Sequence, residues 1–275
     1  MRPHIGYRIA AHAVLIAGSA VMLFPFLWTV STSLKDISEV FTYPPRLSGK
    51  EWVWENYVKV WERYPFLDFF LNTVKITALV VIGQLLTSSM AGYVFARLKF
   101  RGRDAIFMLY LATIIIPVQV TVIPNFFLMK TYGLIDTHWS LILPGFVSAF
   151  GTFLLRQFFQ TIPAALEEAA KIDGCNPFGI YWRIFVPLSK PAMATLGIFI
   201  CNGVWNDFYN PLIFINTTSK MTLTLGLATM QGLYSTDWPV LMAATTISIT
   251  PIIVLFLLAQ DLFVRGVTLS GLKGE

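Results

Sequence analysis

Charged residues are scarce in this sequence. Asp, Glu, Lys and Arg make up only 13% of its 275 residues, whereas soluble domains carry about 25%. Hydrophobic residues make up 56%, and they fall in blocks of roughly 20 residues, the length that crosses about 30 Å of hydrocarbon. A soluble domain is therefore excluded, and the composition predicts an all-α membrane protein.

Patterns for covalent, metal or nucleotide chemistry are also missing. Two cysteines, Cys175 and Cys201, are too few for a disulfide framework. The histidines His4, His12 and His138 are scattered, and no metal-ligand spacing, nucleophile elbow or G-x-x-x-x-G-K-S/T phosphate loop occurs. We therefore expect no catalytic residue, metal or cofactor, and any ATP must be hydrolysed by a partner. The net charge of +5 is too modest to suggest nucleic acid.

Six membrane spans are predicted. Arg2 and Arg8 precede the first, as in a signal peptide, but its apolar run exceeds the about 7–15 residues of a signal core. No small-residue cleavage site follows it, so we expect an uncleaved anchor. The predicted spans cover residues 9–30, 69–95, 105–129, 139–155, 192–215 and 240–263.

Lys and Arg residues predict the orientation, because the cytoplasmic segments of membrane proteins are enriched in them. With a cytoplasmic N-terminus, twelve of the 20 lie in inner segments, seven lie in outer segments, and Lys75 lies within the second span. The tight loop at 97–104, RLKFRGRD, is the strongest single indication. Both termini, the 161–191 loop and a tail at 264–275 are therefore expected in the cytoplasm, in a chain that forms one domain over 1–275.

Two spans carry features that bear on helix packing. The second contains small and weakly polar residues that allow helices to approach closely: Gln84, Thr87, Ser88, Ser89, Ala91 and Gly92. The third contains Pro117 and Pro124, with Gln119 between them. Proline removes a backbone hydrogen bond and kinks a helix, and the freed carbonyl needs protein or water as a partner. A hinge that lines a pathway and a static kink both fit.

The fifth span holds the most polar cluster in the membrane. Asn202, Asn206 and Asn210 recur every fourth residue and are expected to share one helical face. Asp207 places a charge at membrane depth, which costs roughly 2.5–3.5 kcal/mol and favours a bundle interior or water. Amides beside aromatic rings suit a polyhydroxylated solute, although a buried helix–helix contact fits as well. The candidate solute-path residues are Gln119, Asn202, Trp205, Asn206, Asp207 and Asn210.

The 161–191 loop is the longest polar-rich break in the C-terminal half. Two short helices are predicted within it, one capped by Thr161 that stops at Gly174 and one capped by Asn176 that ends before Pro187. The predicted faces comprise Ala165, Ala169 and Ile172 on the first helix, flanked by Glu167 and Glu168, and Phe178, Trp182 and Phe185 on the second. A connector packed on its own protein and a surface that docks into another subunit both fit this composition.

The sequence of this loop resembles the E-A-A-x3-G-x9-I-x-L-P motif of permease subunits of ATP-binding-cassette (ABC) importers. Every spacing matches, with Val186 where leucine is usual. In that family the loop is a coupling helix that inserts into a cleft of the ATPase subunit, so the resemblance implies a charge contact for Glu168 and a sharp turn at Gly174. The coupling residues that it implies are Glu168, Ala169, Ala170, Asp173, Gly174, Ile184 and Pro187.

Two further stretches carry the same resemblance. The sequence WNDFYNPL at 205–212 resembles the W-N-D/E-F-x-x-P-L of carbohydrate-uptake permeases. The ending at 260–275 is similar to that of maltose-type permeases, which reaches between two ATPase subunits, with Ser270 where glycine is usual. The resemblance implies a maltose-type second permease in a prokaryotic plasma (inner) membrane. Its implied partners are a second homologous permease, two ABC ATPase subunits, an extracytoplasmic solute-binding protein and lipid.

Alternatives remain for the outer segment and for the whole chain. The outer segment 33–65 carries Trp54, Tyr57, Val58 and Trp61 at helical spacing. We favour an interfacial helix at the lipid headgroups over a contact for an external binding protein.

An ATP-independent carrier or channel would need ion-coupling residues beyond Asp207, and a membrane-embedded enzyme would need a catalytic motif. Co-purification of a second permease and an ATPase would separate these classes.

Overall fold

The computed structural model describes residues 5–232 and 235–271, apart from the side chains of residues 5–9 and 261–271. Every regular element in this part of the chain is helical, which confirms the predicted all-α class. A π-helical turn, Tyr181–Phe185, lies between α9 and α10. The α-helices are α1 (Ile5–Ser33), α2 (Glu55–Arg63), α3 (Phe66–Arg97), α4 (Arg103–Ala112), α5 (Val118–Thr131), α6 (Trp139–Gly145), α7 (Ala149–Thr161), α8 (Ala164–Ile172), α9 (Pro177–Ile180), α10 (Val186–Leu188), α11 (Lys190–Trp205), α12 (Tyr209–Phe214), α13 (Leu223–Thr229) and α14 (Trp238–Gly271).

Among the described residues, four helical segments are long and apolar enough to cross a membrane. They are Ala10–Ser33, Phe66–Arg97, Trp139–Thr161 and Trp238–Gln260, and they cover the predicted first, second, fourth and sixth spans. The number rises to six if each of two sharply bent helix pairs is one span. One pair covers the predicted third span, and the other runs from the 161–191 loop into the predicted fifth.

The third span, predicted over 105–129, is broken rather than kinked. α4 continues through a 3₁₀ turn that ends at Ile115, and α5 then leaves at an angle of 101°. Pro117 causes the break, because a proline disfavours helical geometry in the residue before it, and Ile116 has an extended ψ of 117°. Pro124, in contrast, is accommodated inside α5.

The fifth span, predicted over 192–215, is also interrupted, between α11 and α12. The polar side chains of this segment break the helix because they bond to nearby backbone. Asn206 Nδ2 donates to Asn202 O at 2.9 Å, and Asp207 Oδ1 accepts from the Asn210 amide at 3.2 Å. The Asn210 amide lies in the first turn of α12, so Asp207 satisfies a donor that this helix leaves without an intrahelical partner.

Two predicted boundaries move outward. The fourth span was expected to end at residue 155, but α7 continues to Thr161 because no helix-breaking residue intervenes. The sixth helix continues to Gly271, so the tail predicted at 264–275 is helical over the part that is described. Residues 272–275 lie outside the described residues.

The chain divides into two compact units, one formed by residues up to 67 with 226–251 and the other by 68–225 with the residues from 252 onward. Within the second unit, α7 packs against α4 and α11, and α6 packs against α12. Fully buried apolar side chains make up its core, including Val80, Ile142, Leu155, Phe159, Ile180, Phe185 and Leu196.

Small residues let α3 and α7 approach closely, which confirms the packing role predicted for them in the second span. A Cβ atom at Gly92 would lie 3.1 Å from the Arg156 amide nitrogen and 3.3 Å from Thr152 O. Ser88, one turn earlier on α3, is buried beside Gly151 of α7. Close contact of this kind supplies the van der Waals packing on which helix association in lipid depends.

In the first unit, α2 closes the end of α1. Asn56 is buried, and its Nδ2 donates to Ser33 O at 3.0 Å and to Lys35 O at 2.9 Å. Because the last carbonyls of a helix have no intrahelical partner, these bonds satisfy groups that α1 leaves unpaired. Tyr57 is half-buried, with its hydroxyl 2.8 Å from Ser33 Oγ. The other members of the predicted aromatic stripe, Trp54, Val58 and Trp61, are exposed.

Replacement of Asn56 tests this closure. Asn56→Ala leaves two carbonyl oxygens without their donor, and we expect it to lower the free energy of unfolding by about 1–3 kcal/mol. Asn56→Asp keeps the shape but removes the donor, and should also destabilise. The measurement is thermal unfolding in detergent, with Glu62→Ala on the exposed side of α2 as the control. An Asn56→Ala protein as stable as the control would contradict the assignment.

Candidate coupling surface and solute path

The first helix of the 161–191 loop, α8, has no side-chain cap. Pro163 is the residue before it, and its backbone is extended. The predicted Thr161 cap is wrong, because Thr161 is the last residue of α7 and its hydroxyl donates to Phe158 O at 2.7 Å within that helix. The loop therefore begins at Ile162, one residue later than its polar sequence indicates.

A left-handed glycine ends α8. Gly174 has a φ of 80°, a value that residues with a Cβ rarely adopt. The next amide, that of Cys175, donates to Ala170 O at 2.9 Å, and the Gly174 amide donates to Lys171 O at 3.1 Å. These are the bonds of a glycine C-cap. They reverse the chain, so that α8 and α9 pack against each other.

The second helix is capped as predicted but ends later. Asn176 Oδ1 accepts from the Gly179 amide at 2.7 Å, which confirms the cap. The predicted end before Pro187 is wrong, because the chain stays helical to Leu188. The Val186 amide donates to the carbonyl five residues earlier, Tyr181 O, as in a π-helix. The four-residue pattern of α-helical hydrogen bonds is therefore interrupted just before Pro187, which has no N–H to donate.

One side of the loop exposes apolar side chains. Ile172 is 86% exposed, Phe178 61% and Trp182 42%. Glu168, Ala169 and Asp173 are also exposed, whereas Ala170 is buried. Two predicted face assignments are wrong. Phe185 is fully buried because the π turn directs it inward, and Glu167 is buried and paired with Lys171 at 2.7 Å, so Glu167 does not flank the exposed surface.

The opposite side of the loop is fixed to α3 and α7 by aromatic packing. The Tyr93 ring of α3 lies 4.9 Å from the Phe185 ring and 5.5 Å from the Tyr181 ring, centroid to centroid. Phe159 of α7 lies 5.5 Å from Phe185. The Tyr181 hydroxyl is 2.6 Å from Ser89 Oγ on α3. Rings at these separations interact favourably beyond the area that they bury, so the loop and α3 form one packed body.

Arg97, at the end of α3, joins the same three elements. Its guanidinium donates to Phe159 O at 2.6 Å and to Ile162 O, which closes the end of α7. It also lies 5.0 Å from the centre of the Phe185 ring, a cation–π distance. Sequence reasoning counted Arg97 only as a cytoplasmic charge. Nothing in the local sequence signals this contact, because its partners are more than 60 positions away.

The polar residues in the last turn of α11 and directly after it form two hydrogen-bonded pairs. They do not share one helical face. Asn206 donates to the Asn202 side-chain oxygen at 3.1 Å, and Asn210 donates to Asp207 Oδ2 at 2.8 Å. The predicted single face of three asparagines is therefore wrong, since the helix ends before Asn210. Asn202 and Asn206 are exposed, and Asp207 and Asn210 are half-buried. The exposed amides keep donors and acceptors for a solute.

The other two candidate path residues lie elsewhere. Trp205 is buried, with its ring 5.9 Å from that of Phe70, so it offers little surface to a solute. Gln119 is exposed in the first turn of α5, beside the break at Pro117. No hydrogen bond or ring contact within the described segments joins Gln119 to the asparagine pairs. Nor do those segments contain a group of three His, Cys, Asp or Glu residues that could hold a metal ion.

Asp136, which sequence reasoning missed, braces two loops of the second unit. Its carboxylate accepts from the amides of Asn216 and Thr217, both at 2.9 Å, and from the Thr217 hydroxyl at 2.6 Å. Lys220 Nζ lies 3.1 Å from Oδ2. The Thr217 hydroxyl, the two amides and Lys220 hold the pKa of Asp136 well below its ordinary value. No local sequence pattern signals this role, because the partners of Asp136 lie 80 and 81 positions away.

Known proteins are similar to this chain in sequence and in fold. The sequence matches the family described as "Binding-protein-dependent transport system inner membrane component" over residues 85–269. It is 37% identical over 253 residues to the probable ABC transporter permease protein YurM of Bacillus subtilis (strain 168), covering 91% of this chain and 84% of YurM. It is 33% identical over 271 residues to the arabinooligosaccharides transport system permease protein AraQ of the same organism, covering 98% of this chain and 96% of AraQ.

A solved structure has the same fold. It is the crystal structure of a bacterial ABC transporter involved in the import of the acidic polysaccharide alginate, and one of its chains aligns with a TM-score of 0.84 at 24% identity. The alignment covers 95% of this chain and 98% of that chain. Fold and sequence together define an ABC transporter permease. The chain belongs to the inner membrane components of binding-protein-dependent transport systems, and it is the multi-pass, non-catalytic permease subunit of such a system.

Neutralising Asp136 tests the brace. Because the folded pKa is depressed, the carboxylate contributes stability above its unfolded value of about 3.9 and loses it as pH falls through the lower folded value. At pH 7, Asp136→Asn should raise the hydrogen-exchange rates of the Asn216 and Thr217 amides by about tenfold. Asp68→Asn, an exposed carboxylate on α3, is the control. Unchanged exchange in Asp136→Asn would mean that the brace carries no stability.

Proposed function

We propose that the chain forms half of the translocation pathway of an importer for a sugar or oligosaccharide, driven by ATP hydrolysis in two partner subunits. A second, homologous permease would supply the other half, and an extracytoplasmic binding protein would deliver the solute. The family match and the names of the relatives, AraQ among them, support this assignment. The exposed asparagine amides fit a hydroxyl-rich solute, because each amide can donate and accept.

The proposed topology has six spans with both termini in the cytoplasm. It counts α4 with α5 as the third span, bent at Pro117, and takes α11 with α12 as the fifth. Basic residues concentrate on the side that this assigns to the cytoplasm. The 161–191 loop then lies in the cytoplasm between spans four and five, where an ATPase subunit can reach it.

The observation that carries the coupling role is the exposed apolar side of this loop. Ile172, Phe178 and Trp182 are apolar side chains that would meet water in the cytoplasm. Burying each against a partner would contribute about 1.5–3 kcal/mol, and exposed apolar patches of this kind mark interaction sites. Glu168, Ala169 and Asp173 are also exposed. The two carboxylates offer charge contacts to the ATPase subunit, and the small side chain of Ala169 permits its close approach.

The packed side of the loop would transmit movement of the ATPase subunits to the membrane helices. Tyr181 and Phe185 are locked against Tyr93 of α3, and Arg97 binds the end of α7 to the same cluster. A displacement of the loop by the ATPase subunits would therefore move α3 and α7 together, because a close-packed interior transmits strain instead of absorbing it. Ile184 and Pro187 belong to this second helix and would move with it.

A matched pair of glycine substitutions tests the coupling role. Gly174 and Gly133 both have positive φ, of 80° and 68°, and neither would bring a Cβ within 4 Å of another group. Valine at either position imposes similar backbone strain, roughly 1–2 kcal/mol for a left-handed residue. We expect Gly174→Val to abolish solute uptake in vesicles that contain the assembled transporter, and Gly133→Val to leave most of it.

Membrane insertion and ATPase association should be measured beside uptake. Both variants should insert as the parent does, and only Gly174→Val should lose ATPase subunits or uncouple their hydrolysis from transport. Normal uptake by Gly174→Val would contradict the coupling role. Equal losses in both variants would show that backbone strain alone is responsible.

A further inference from the structure

A cleft of about 460 Å³ lies in the second unit, between α3, the start of α6 and the loop after α12. It is separate from the asparagine pairs and from the 161–191 loop. Its polar lining residues are Lys75, Thr137, His138 and Lys220, and its apolar ones are Leu79, Trp139 and Ile142. Lysines beside apolar side chains make the cleft amphipathic.

The two lysines of the cleft keep N–H donors that are not used within the described part of the chain. Lys75 is exposed, and it forms no ion pair within the described part of the chain. Lys220 Nζ donates to Asp136 O at 2.8 Å and to Asp136 Oδ2 at 3.1 Å. An ammonium group has three donors, so one N–H of Lys220 is left. His138 Nε2 donates to Lys220 O, 3.0 Å away, and burial lowers the pKa of His138, so the lysines supply the charge near pH 7.

The cleft lies at the level of a membrane surface. α3 has 32 residues, about 48 Å at ~1.5 Å per residue, whereas the hydrocarbon core is about 30 Å thick. If the core is centred on the helix, Lys75 sits about 5 Å inside its edge, within reach of the headgroups for a lysine. The long apolar stretch of α3 begins immediately after Lys75. Trp139 is 49% exposed beside it, as tryptophans of the interfacial belt are.

We infer that this cleft binds an anionic phospholipid, with its phosphate between Lys75 and Lys220 and an acyl chain along Leu79 and Trp139. Charge complementarity favours an anion, because Lys75 forms no ion pair among the described residues and Lys220 keeps one N–H beyond its two bonds to Asp136. The apolar continuation of the cleft favours a lipid over a small soluble anion. The orientation proposed above would place this lipid in the outer leaflet. The inference does not depend on the proposed function in any other way.

Native mass spectrometry of the assembled transporter tests this inference independently of transport. The complex is titrated with phosphatidylglycerol, with phosphatidylcholine and with glycerol phosphate. We expect retained phosphatidylglycerol to exceed phosphatidylcholine, and Lys75→Gln to weaken its retention by about fivefold, the contribution of one lysine near an anionic surface. Lys75→Arg, which keeps the charge, should retain the lipid. Lys130→Gln, an exposed lysine in the last turn of α5, is the matched control and should change nothing.

Three outcomes would overturn the inference. Retention by Lys75→Gln equal to that of the parent would show that the cleft is not the lipid site. Equal retention of the two lipids would show that its charge selects nothing. Displacement of phosphatidylglycerol by glycerol phosphate at equal concentration would make the cleft a site for a soluble anion. A loss of uptake with lipid retention intact would bear on the transport proposal and leave the lipid site standing.

Discussion

Aromatic packing of the 161–191 loop against α3 and α7 is the contact on which the account of this permease depends. Tyr93, Phe159 and Phe185 pack ring against ring, and Arg97 covers Phe185 while it closes the end of α7. Without these contacts the loop would be a connector that could move on its own. With them, a force applied to its exposed side enters α3 and α7 directly. The same short segment thus leaves some of its apolar side chains exposed and packs others against α3 and α7.

At the other end of the second unit, polar side chains shape the backbone. Asp207 accepts the Asn210 amide in the first turn of α12, and Asp136 fixes the loop that follows α12. Both carboxylates accept backbone amides, which compensates for the cost of placing a charge near hydrocarbon, and Asp136 also pairs with Lys220. The amides of Asn202 and Asn206, just before Asp207, remain exposed. In the proposed importer, they would line the solute path beside a backbone that the two carboxylates hold in place.

The sequence predicted this structure where the signal was local. The all-helical class, the Asn176 cap and the small-residue packing of α3 follow from hydropathy, capping chemistry and residue size, and the spelling around Glu168 identified the family. The sequence failed where distant residues decide the outcome. The break between α11 and α12, the inward turn of Phe185 and the roles of Arg97 and Asp136 depend on partners that periodicity cannot reveal. The error at Phe185 arose from assuming an unbroken 3.6-residue period through what is a π turn.

The most direct test of the central claim is photo-cross-linking from the exposed side of the loop. A benzoylphenylalanine placed at Phe178 of the assembled transporter in native membranes should cross-link to an ATPase subunit when illuminated, and the yield should change with nucleotide. The same probe at Leu109, an exposed residue of α4, should not reach that subunit. Products from Phe178 that contain only lipid or this chain would contradict the account, because the apolar side of the loop would then face no ATP-hydrolysing partner.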